Sequence, residues 1–241
     1  MSLFSDITQP LEETAQSGED ALYYLPHSTA SGHQKGEIIY AAEEPSTCLY
    51  LVSRGRVKVS RIFHTGREVV IDIYQKDEFF GESALAGPLL PRSEQATALE
   101  KVTVMMWPVS KVEHLIATHP GLGIALLQMV SQRTAILSKR LLSFAAETNG
   151  QRLVRELLRL SDRLGTRESD GSIKMMPLTQ TLLAQCVGTS REIVTCYMNR
   201  LREEGCLRYS RKAITVYPEA LKARLRGEAV KAMASGVALD G

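Results

Sequence analysis

The sequence predicts an α+β protein in which a small antiparallel β-roll, one long helix and a C-terminal helical unit follow one another. Three observations predict this order. Short β-prone runs separated by turn residues fill residues 23–106, a heptad pattern fills residues 120–147, and two short helical patterns followed by strand alternation fill residues 178–216. With 241 residues, 44% of them hydrophobic, the chain can form two modest cores.

The β-roll is predicted from four runs, which read GEIIY, CLYLVSRGRVKVSRIF, REVVIDIY and TVMMWP. In the second run Val57 and Val59 alternate with polar residues, as in a strand with one buried face, and HTGRE at 64–68 is typical of a hairpin turn. We therefore assign residues 21–118 to the roll. Residues 1–20 carry acidic residues but no Lys or Arg, and we expect them to form a loosely held arm.

The long helix is predicted at 119–147, with Pro120 at its first position. Its length of about 42 Å is more than the small roll can cover. This favours a second copy of the chain packed along an a/d seam. The alternative is a core helix that lies on its own domain. The seam consists of Leu127, Val130, Thr134, Leu137, Leu141 and Phe144.

The C-terminal unit is predicted at 148–225, after a hinge at Asn149-Gly150 and before a tail at 226–241. An amphipathic helix comes first, followed by an apolar helix through Leu183, a turn at Gly188, and a second helix that Ser190 caps. This is the outline of a helix-turn-helix. Alternation from 207 to 216 predicts a hairpin behind it, so that the unit is a winged helix-turn-helix.

The second helix of this motif has an apolar face and a polar face on a helical wheel. Arg191 begins the polar face, although the helix dipole disfavours a cation there, whereas Glu192 is favoured by the dipole without any function. Exposed Arg and Glu at this end suit base reading, because Arg can bond guanine O6 and N7 and Glu can accept from cytosine N4. The residues expected to contact DNA are Thr179, Gln180, Ser190, Arg191, Glu192, Thr195, Cys196 and Asn199, with Arg211 and Lys212 at the hairpin tip on phosphates.

Charge and cysteine content agree with this assignment. Residues 149–241 hold 16 basic and 10 acidic residues, whereas residues 1–148 hold 13 and 17, so the positive charge is concentrated at the C-terminal end. The four cysteines have neither zinc-site spacing nor the density of a secreted scaffold. With no signal segment or apolar span, a cytoplasmic protein is expected.

A second informative stretch is DEFFGESALAGPLLPRSEQATALE at 77–100. Gly81 allows close approach of the backbone. Glu82 can accept a hydrogen bond from a sugar hydroxyl, and Arg92 with Ser93 offers a planar fork and a hydroxyl suited to a phosphate. The alternative is a structural salt bridge between the arginine and a carboxylate.

FFGESAL and RSEQATALE resemble the phosphate-binding cassette of the cyclic-AMP receptor protein / fumarate-nitrate regulator (CRP/FNR) family of bacterial transcription regulators, and GTSREIV resembles that family's recognition helix. The resemblance covers residues 20–217. It implies a homodimer that binds an effector between the roll and the long helix. The two recognition helices of this dimer would lie in successive major grooves of a palindromic operator. RNA polymerase is the implied protein partner. The implied effector is a cyclic mono- or dinucleotide, and its implied contacts are Gly81, Glu82, Ser83, Arg92, Ser93 and Ser138.

Three positions depart from the family pattern. The long-helix threonine of the cyclic-AMP receptor falls on Leu137, which is followed by Ser138. Glu94 replaces a small residue and adds negative charge near the expected phosphate. The second base-reading arginine falls on Cys196, so we expect an operator that differs from that receptor's. Another cyclic nucleotide, or an effector-independent regulator, therefore stays open.

Other classes of protein make distinct predictions. A haem-binding regulator stays open because of five histidines, whereas the iron–sulfur branch needs an N-terminal cysteine cluster and the first cysteine is Cys48. A metal-dependent cupin-type enzyme is disfavoured, because no HxH pair occurs, and no metal site or enzyme activity is expected. A nonspecific DNA binder would show affinity that depends on salt but not on sequence. The histidines are His27, His33, His64, His114 and His119.

Overall fold

A computed structural model describes residues 21–26, 28–87 and 91–236. The expected acidic arm at 1–20, His27 and the last five residues of the expected tail lie outside the described residues. In the described part of the chain, no helix combines the length and apolar character that crossing a membrane requires.

The N-terminal unit is a roll of two antiparallel four-stranded sheets, with strand orders β1-β8-β3-β6 and β2-β7-β4-β5. Side chains from both sheets, among them Val52, Val57 and Phe80, form its core. The hairpin predicted at 64–68 is confirmed, because the Phe63 N–H donates to the Arg67 carbonyl across the turn. The strands are β1 Ala30–His33, β2 Ile38–Tyr40, β3 Cys48–Arg54, β4 Val57–Ile62, β5 Glu68–Tyr74, β6 Phe79–Phe80, β7 Gln95–Ala98 and β8 Val102–Pro108.

Three helices flank the roll: α1 (Ala21–Tyr24), α2 (Val109–Thr118) and the long helix α3 (Pro120–Ala146). Only the N-terminal part of α3 is buried against the roll, through Leu122, Ala125 and Leu126. Further along, the helix exposes a row of large apolar side chains to solvent. They are Ile124, Leu127, Val130, Leu137, Leu141, Leu142 and Phe144.

The break between α3 and the C-terminal unit lies at Glu147–Thr148, so the hinge predicted at Asn149-Gly150 is corrected. Both of those residues lie inside the first turn of α4 (Asn149–Leu164). A capping box of Thr148 and Gln151 begins this helix and satisfies its free backbone N–H groups. Glycine is needed at 150 for packing, because a Cβ there would come within 2.6 Å of the Tyr197 ring.

The C-terminal unit is a helix-turn-helix with a four-stranded sheet of order β11-β12-β10-β9. The turn at SDGS, residues 169–172, joins the first two strands of this sheet and contains Gly171 at φ +79°. The last helix continues through residue 226, where a separate tail was expected. The elements are β9 Gly165–Arg167, β10 Ile173–Met175, α5 Gln180–Val187, α6 Arg191–Glu203, β11 Leu207–Tyr209, β12 Ile214–Val216 and α7 Pro218–Gly236.

The roll and the C-terminal unit meet along β5. The register of β4 and β5 shifts between the pairs Val59↔Asp72 and Ser60↔Val70, which leaves Ile71 as a bulge. The guanidinium of Arg140 on α3 donates to the carbonyls of Val70 and Ile71, and also to the carbonyl of Cys186 at the end of α5. One side chain thus joins roll, long helix and helix-turn-helix.

A partly buried charge cluster supports the same interface. Asp72 forms ion pairs with Arg159 at 2.9 Å and Arg163 at 2.7 Å, and Arg163 also pairs with Glu78 at 2.9 Å. Burial alone would raise the pKa of Asp72, but the two guanidiniums outweigh burial and hold the pKa below its usual range. The ionised carboxylate therefore contributes to the docking of the two units.

We expect Asp72→Asn to lower the free energy of unfolding by about 2 kcal/mol near neutral pH, because two guanidiniums lose a charged partner. The stabilisation from ionised Asp72 is present above its unfolded pKa of about 3.9 and is lost as the pH falls through the lower folded pKa. The free energies of unfolding of the two proteins in urea should therefore begin to approach each other below about pH 4 and coincide only below the lower folded pKa. Asp77→Asn, at an exposed carboxylate, is the control, and a difference that persists into strong acid would contradict the assignment.

Candidate DNA-binding surface and effector cavity

The turn of the helix-turn-helix lies between α5 and α6. Gly188 ends α5 in the left-handed region at φ +70°, and a Cβ there would lie 2.7 Å from the Phe144 ring. Ser190 caps α6 as predicted, since its hydroxyl accepts from the Ile193 N–H, and the hydroxyl of Thr179 caps α5 by accepting from the Leu182 N–H. The glycine and both caps fix the angle at which α6 leaves α5.

The predicted faces of α6 are confirmed by its burial. Val194, Met198 and Leu201 are buried in the core of the unit, while Arg191 and Glu192 are exposed at its N-terminal end. Among the described residues, no carboxylate lies within ion-pair distance of the Arg191 guanidinium, so its donors face solvent. The pKa of Glu192 is lowered by hydrogen bonds from its own backbone N–H and from Ser190, so it is ionised at neutral pH.

The other residues predicted to contact DNA from these helices differ in whether their side chains already form hydrogen bonds within the protein. Cys196 is exposed. The hydroxyl of Thr195 lies 2.6 Å from the side-chain oxygen of Gln180, which ties α6 to α5. The side-chain oxygen of Asn199 accepts from the Tyr209 hydroxyl at 2.8 Å, which ties α6 to the wing. Thr195 and Asn199 therefore help to position the recognition helix.

The wing is the hairpin of β11 and β12. Its turn is closed by the Ser210 N–H, which donates to the Ala213 carbonyl at 2.9 Å. Arg211 and Lys212 are exposed at the tip. Arg191, Arg211 and Lys212 are all exposed basic groups, and such groups suit the phosphates that flank a major groove.

The cassette residues lie around a cavity of about 450 Å³ between the roll and α3. Gly81 is left-handed at φ +76° and begins a short 3-10 helix, Glu82–Ala86. Its missing Cβ leaves room for the guanidinium of Arg92, which would otherwise lie 3.1 Å away. Gly81, Glu82 and Ser83 line the cavity. The described lining residues are Tyr40, Val59, Ile71, Tyr74, Gly81, Glu82, Ser83, Leu85, Ala86, Glu94 and Val130.

Arg92 lies behind the cavity wall and is 1% exposed. Its guanidinium donates to the Cys48 carbonyl at 2.9 Å and lies 3.9 Å from the centre of the Tyr40 ring. Glu82 pairs instead with Arg133 of α3, at 2.7 Å. The alternative of a salt bridge between the cassette's own arginine and Glu82 therefore does not describe this arrangement.

Glu94 lies among the hydroxyls of the cassette. Its carboxylate accepts from Ser83 at 3.0 Å and from Ser93 at 2.7 Å, and the residue is 8% exposed. Ser138 lies on the exposed surface of α3 and is not among the residues that line the cavity. The residues described here do not fit a phosphate in the cassette, because a buried carboxylate holds the hydroxyls that the phosphate would use.

Sequence reasoning missed Arg133 and Tyr40. Arg133 is a cation on a helix that has no acidic residue of its own, and this imbalance is a usable signal. Nothing in the pattern marks Tyr40, because a tyrosine in a strand is common. Among the described residues no cluster of three or more metal-ligating side chains occurs, and His33 lies beside Ser31 and Glu37.

Comparison with known proteins identifies two domains in the chain. The family model described as cyclic nucleotide-binding domain matches residues 33–119, and that described as Crp-like helix-turn-helix domain matches residues 151–224. The chain is similar to the global nitrogen regulator of Synechocystis sp., with 29% identity over 78% of this chain and 84% of that protein. It is also 29% identical to the CRP-like cAMP-activated global transcriptional regulator of Mycobacterium tuberculosis, over 76% of this chain and 81% of the relative.

Solved structures share the fold. FixK2 from Bradyrhizobium japonicum matches with a TM-score of 0.74 at 20% identity, over 82% of this chain and 97% of that one. The c-di-GMP responsive global regulator CLP of Xanthomonas campestris matches with a TM-score of 0.69 at 21% identity, over 82% and 98%. The relatives are transcription regulators and not enzymes, in agreement with the prediction. The order of roll, long helix and winged helix-turn-helix, the two family models and these relatives together show that the chain belongs to the CRP/FNR family of transcription regulators.

Proposed function

We propose that the protein is a homodimeric regulator that binds a palindromic operator through α6 and is controlled by a small effector in the cavity between roll and α3. The observation that carries the DNA-binding part is the exposed, unpaired Arg191 at the start of a capped and well-packed recognition helix. The basic wing tip adds contacts to phosphates. RNA polymerase in the cytoplasm is the expected partner at the promoter.

The exposed face of α3 supports the dimer. A 27-residue helix that leaves Leu127, Leu137 and Leu141 between 46% and 70% exposed needs an apolar partner surface. A second α3 supplies such a surface with the same heptad spacing. Pairing would place two recognition helices on one face of the dimer, as two half-sites about 34 Å apart require.

The cavity supports control by an effector because it lies between the roll and α3, beside a strand that contacts the C-terminal unit. Val130 of α3 and Ile71 of β5 lie on its wall, and β5 also contacts the C-terminal unit. A ligand that binds one arrangement of these elements more tightly than another shifts the population between them. A coupling of about 1–3 kcal/mol would be enough for a useful switch.

Selection of the purified protein on random duplex DNA at fixed salt tests the proposal. We expect an inverted repeat with G·C pairs in each half-site, because Arg191 and Glu192 are suited to guanine and cytosine. The repeat centres should lie about one helical turn apart. Enrichment of no sequence, with binding that weakens only as salt rises, would instead show a nonspecific DNA binder.

A further inference from the structure

The wall of the cavity has a charge pattern opposite to that of a phosphate site. Its described residues include two carboxylates, Glu82 and Glu94, and no lysine, arginine or histidine. Arg133 neutralises Glu82 by an ion pair. Among the described residues, Glu94 has no cation within ion-pair distance and only the hydroxyls of Ser83 and Ser93 as side-chain donors.

These two hydroxyls are the donors that a cyclic phosphate would need. A carboxylate and a phosphate oxygen are both anionic acceptors, so a bound carboxylate can satisfy a site built for a phosphate. Arg92, the residue that would neutralise the phosphate, instead donates to the Cys48 carbonyl and to the Ser83 hydroxyl at 3.4 Å and stacks on the Tyr40 ring. The hydrogen-bond donors of the cassette therefore have acceptors within the protein and need no anionic ligand.

One buried polar group facing this cavity has no partner. The Tyr40 residue is 3% exposed and lines the cavity, and its hydroxyl makes no hydrogen bond with any described residue. Burial raises the pKa of Tyr40, and the charge of Glu94 adds to this effect, so the hydroxyl is a neutral donor and acceptor. An unpartnered hydroxyl of this kind indicates a ligand with a hydrogen-bonding group.

We infer that Glu94 takes the place of a ligand phosphate, so that the cavity accepts uncharged or cationic small molecules and excludes nucleotide phosphates. This inference rests on the proposed function in one respect, namely that the same cavity is the effector site. Glu94 is then the specificity-determining residue. Bringing a phosphate about 4 Å from its carboxylate would weaken binding on the order of 10³-fold at an effective dielectric constant of about 20.

The test is calorimetric titration of the full chain with cyclic AMP and cyclic GMP, and with adenosine as a probe that lacks the phosphate. Glu94→Ala removes the carboxylate, and Glu94→Gln removes its charge while keeping its size. Glu113→Ala, at an exposed carboxylate on α2, is the matched control for loss of one negative charge. Thermal unfolding identifies which of the two Glu94 variants is folded.

We expect the folded Glu94 variants to bind a cyclic nucleotide at least about 30-fold more tightly than the wild type, while Glu113→Ala stays unchanged. Adding Arg92→Ala to Glu94→Ala should remove the gain, and adenosine affinity should not change with the charge at 94. If the wild type binds a cyclic nucleotide as tightly as these variants do, the inference is overturned. Because these affinities are measured without DNA, failure here is distinct from failure to select an operator.

Discussion

Arg191→Glu is expected to abolish selective operator binding while the fold and the dimer stay intact. Arg191 is exposed and is not among the buried residues of α6, so the change should leave thermal unfolding unaltered. A bidentate arginine–guanine contact contributes about 1–3 kcal/mol of discrimination in each half-site. Replacing it in both half-sites should cost a factor of about 100 or more in operator affinity.

The measurement is a titration of labelled operator with each protein at several salt concentrations. Lys111→Glu makes the same change in net charge on an exposed residue of α2 and should cost only the small, sequence-independent part of the affinity. The ratio of operator to random DNA affinity separates the two effects. An unchanged ratio for Arg191→Glu would show that this arginine does not read bases.

Leu141→Glu is expected to convert the protein into a monomer. Leu141 is 70% exposed in the single chain, so its replacement leaves no cavity in the roll or in the C-terminal unit. In a paired helix the carboxylate would be buried without a partner, at a cost of several kcal/mol for each copy. Operator affinity should fall together with dimerisation, because two half-sites would no longer be bound by one particle.

Sedimentation equilibrium over a range of concentrations measures this change directly. Gln128→Glu places a carboxylate on the same helix away from the seam and should leave the association constant unaltered. A monomeric wild type, or a Leu141→Glu dimer as stable as the wild type, would show that α3 is not the dimer interface.

The order of the units followed from patterns that depend only on neighbouring residues. The heptad spacing from Leu127 to Phe144 and the cap at Ser190 are local signals, and the structure has both helices where they predict them. β6 has two residues and β7 has no large apolar side chain, so neither has a strand signal of its own. These strands exist because neighbouring strands supply their hydrogen bonds.

The composition of the effector cavity could be predicted only in part. The motif identified Glu82, Ser83 and Ser93, but not that Glu94 would turn towards the same hydroxyls. Partners that are far apart in sequence, such as Arg133 for Glu82, are set by how α3 lies on the roll. The hinge was misplaced because an Asn-Gly pair also occurs where close packing against Tyr197 demands glycine.

The bulge in β5 has a consequence for how the two halves of the chain communicate. Ile71 faces the cavity, whereas its neighbours Val70 and Ile73 belong to the hydrophobic core of the C-terminal unit. A ligand that displaces Ile71 must move a backbone whose carbonyls Arg140 holds. The mechanical path from the cavity to the helix-turn-helix is then only a few peptide units of one strand, much shorter than the length of α3. Substitutions along this strand should change how strongly effector binding alters DNA affinity, without contacting the effector or the DNA.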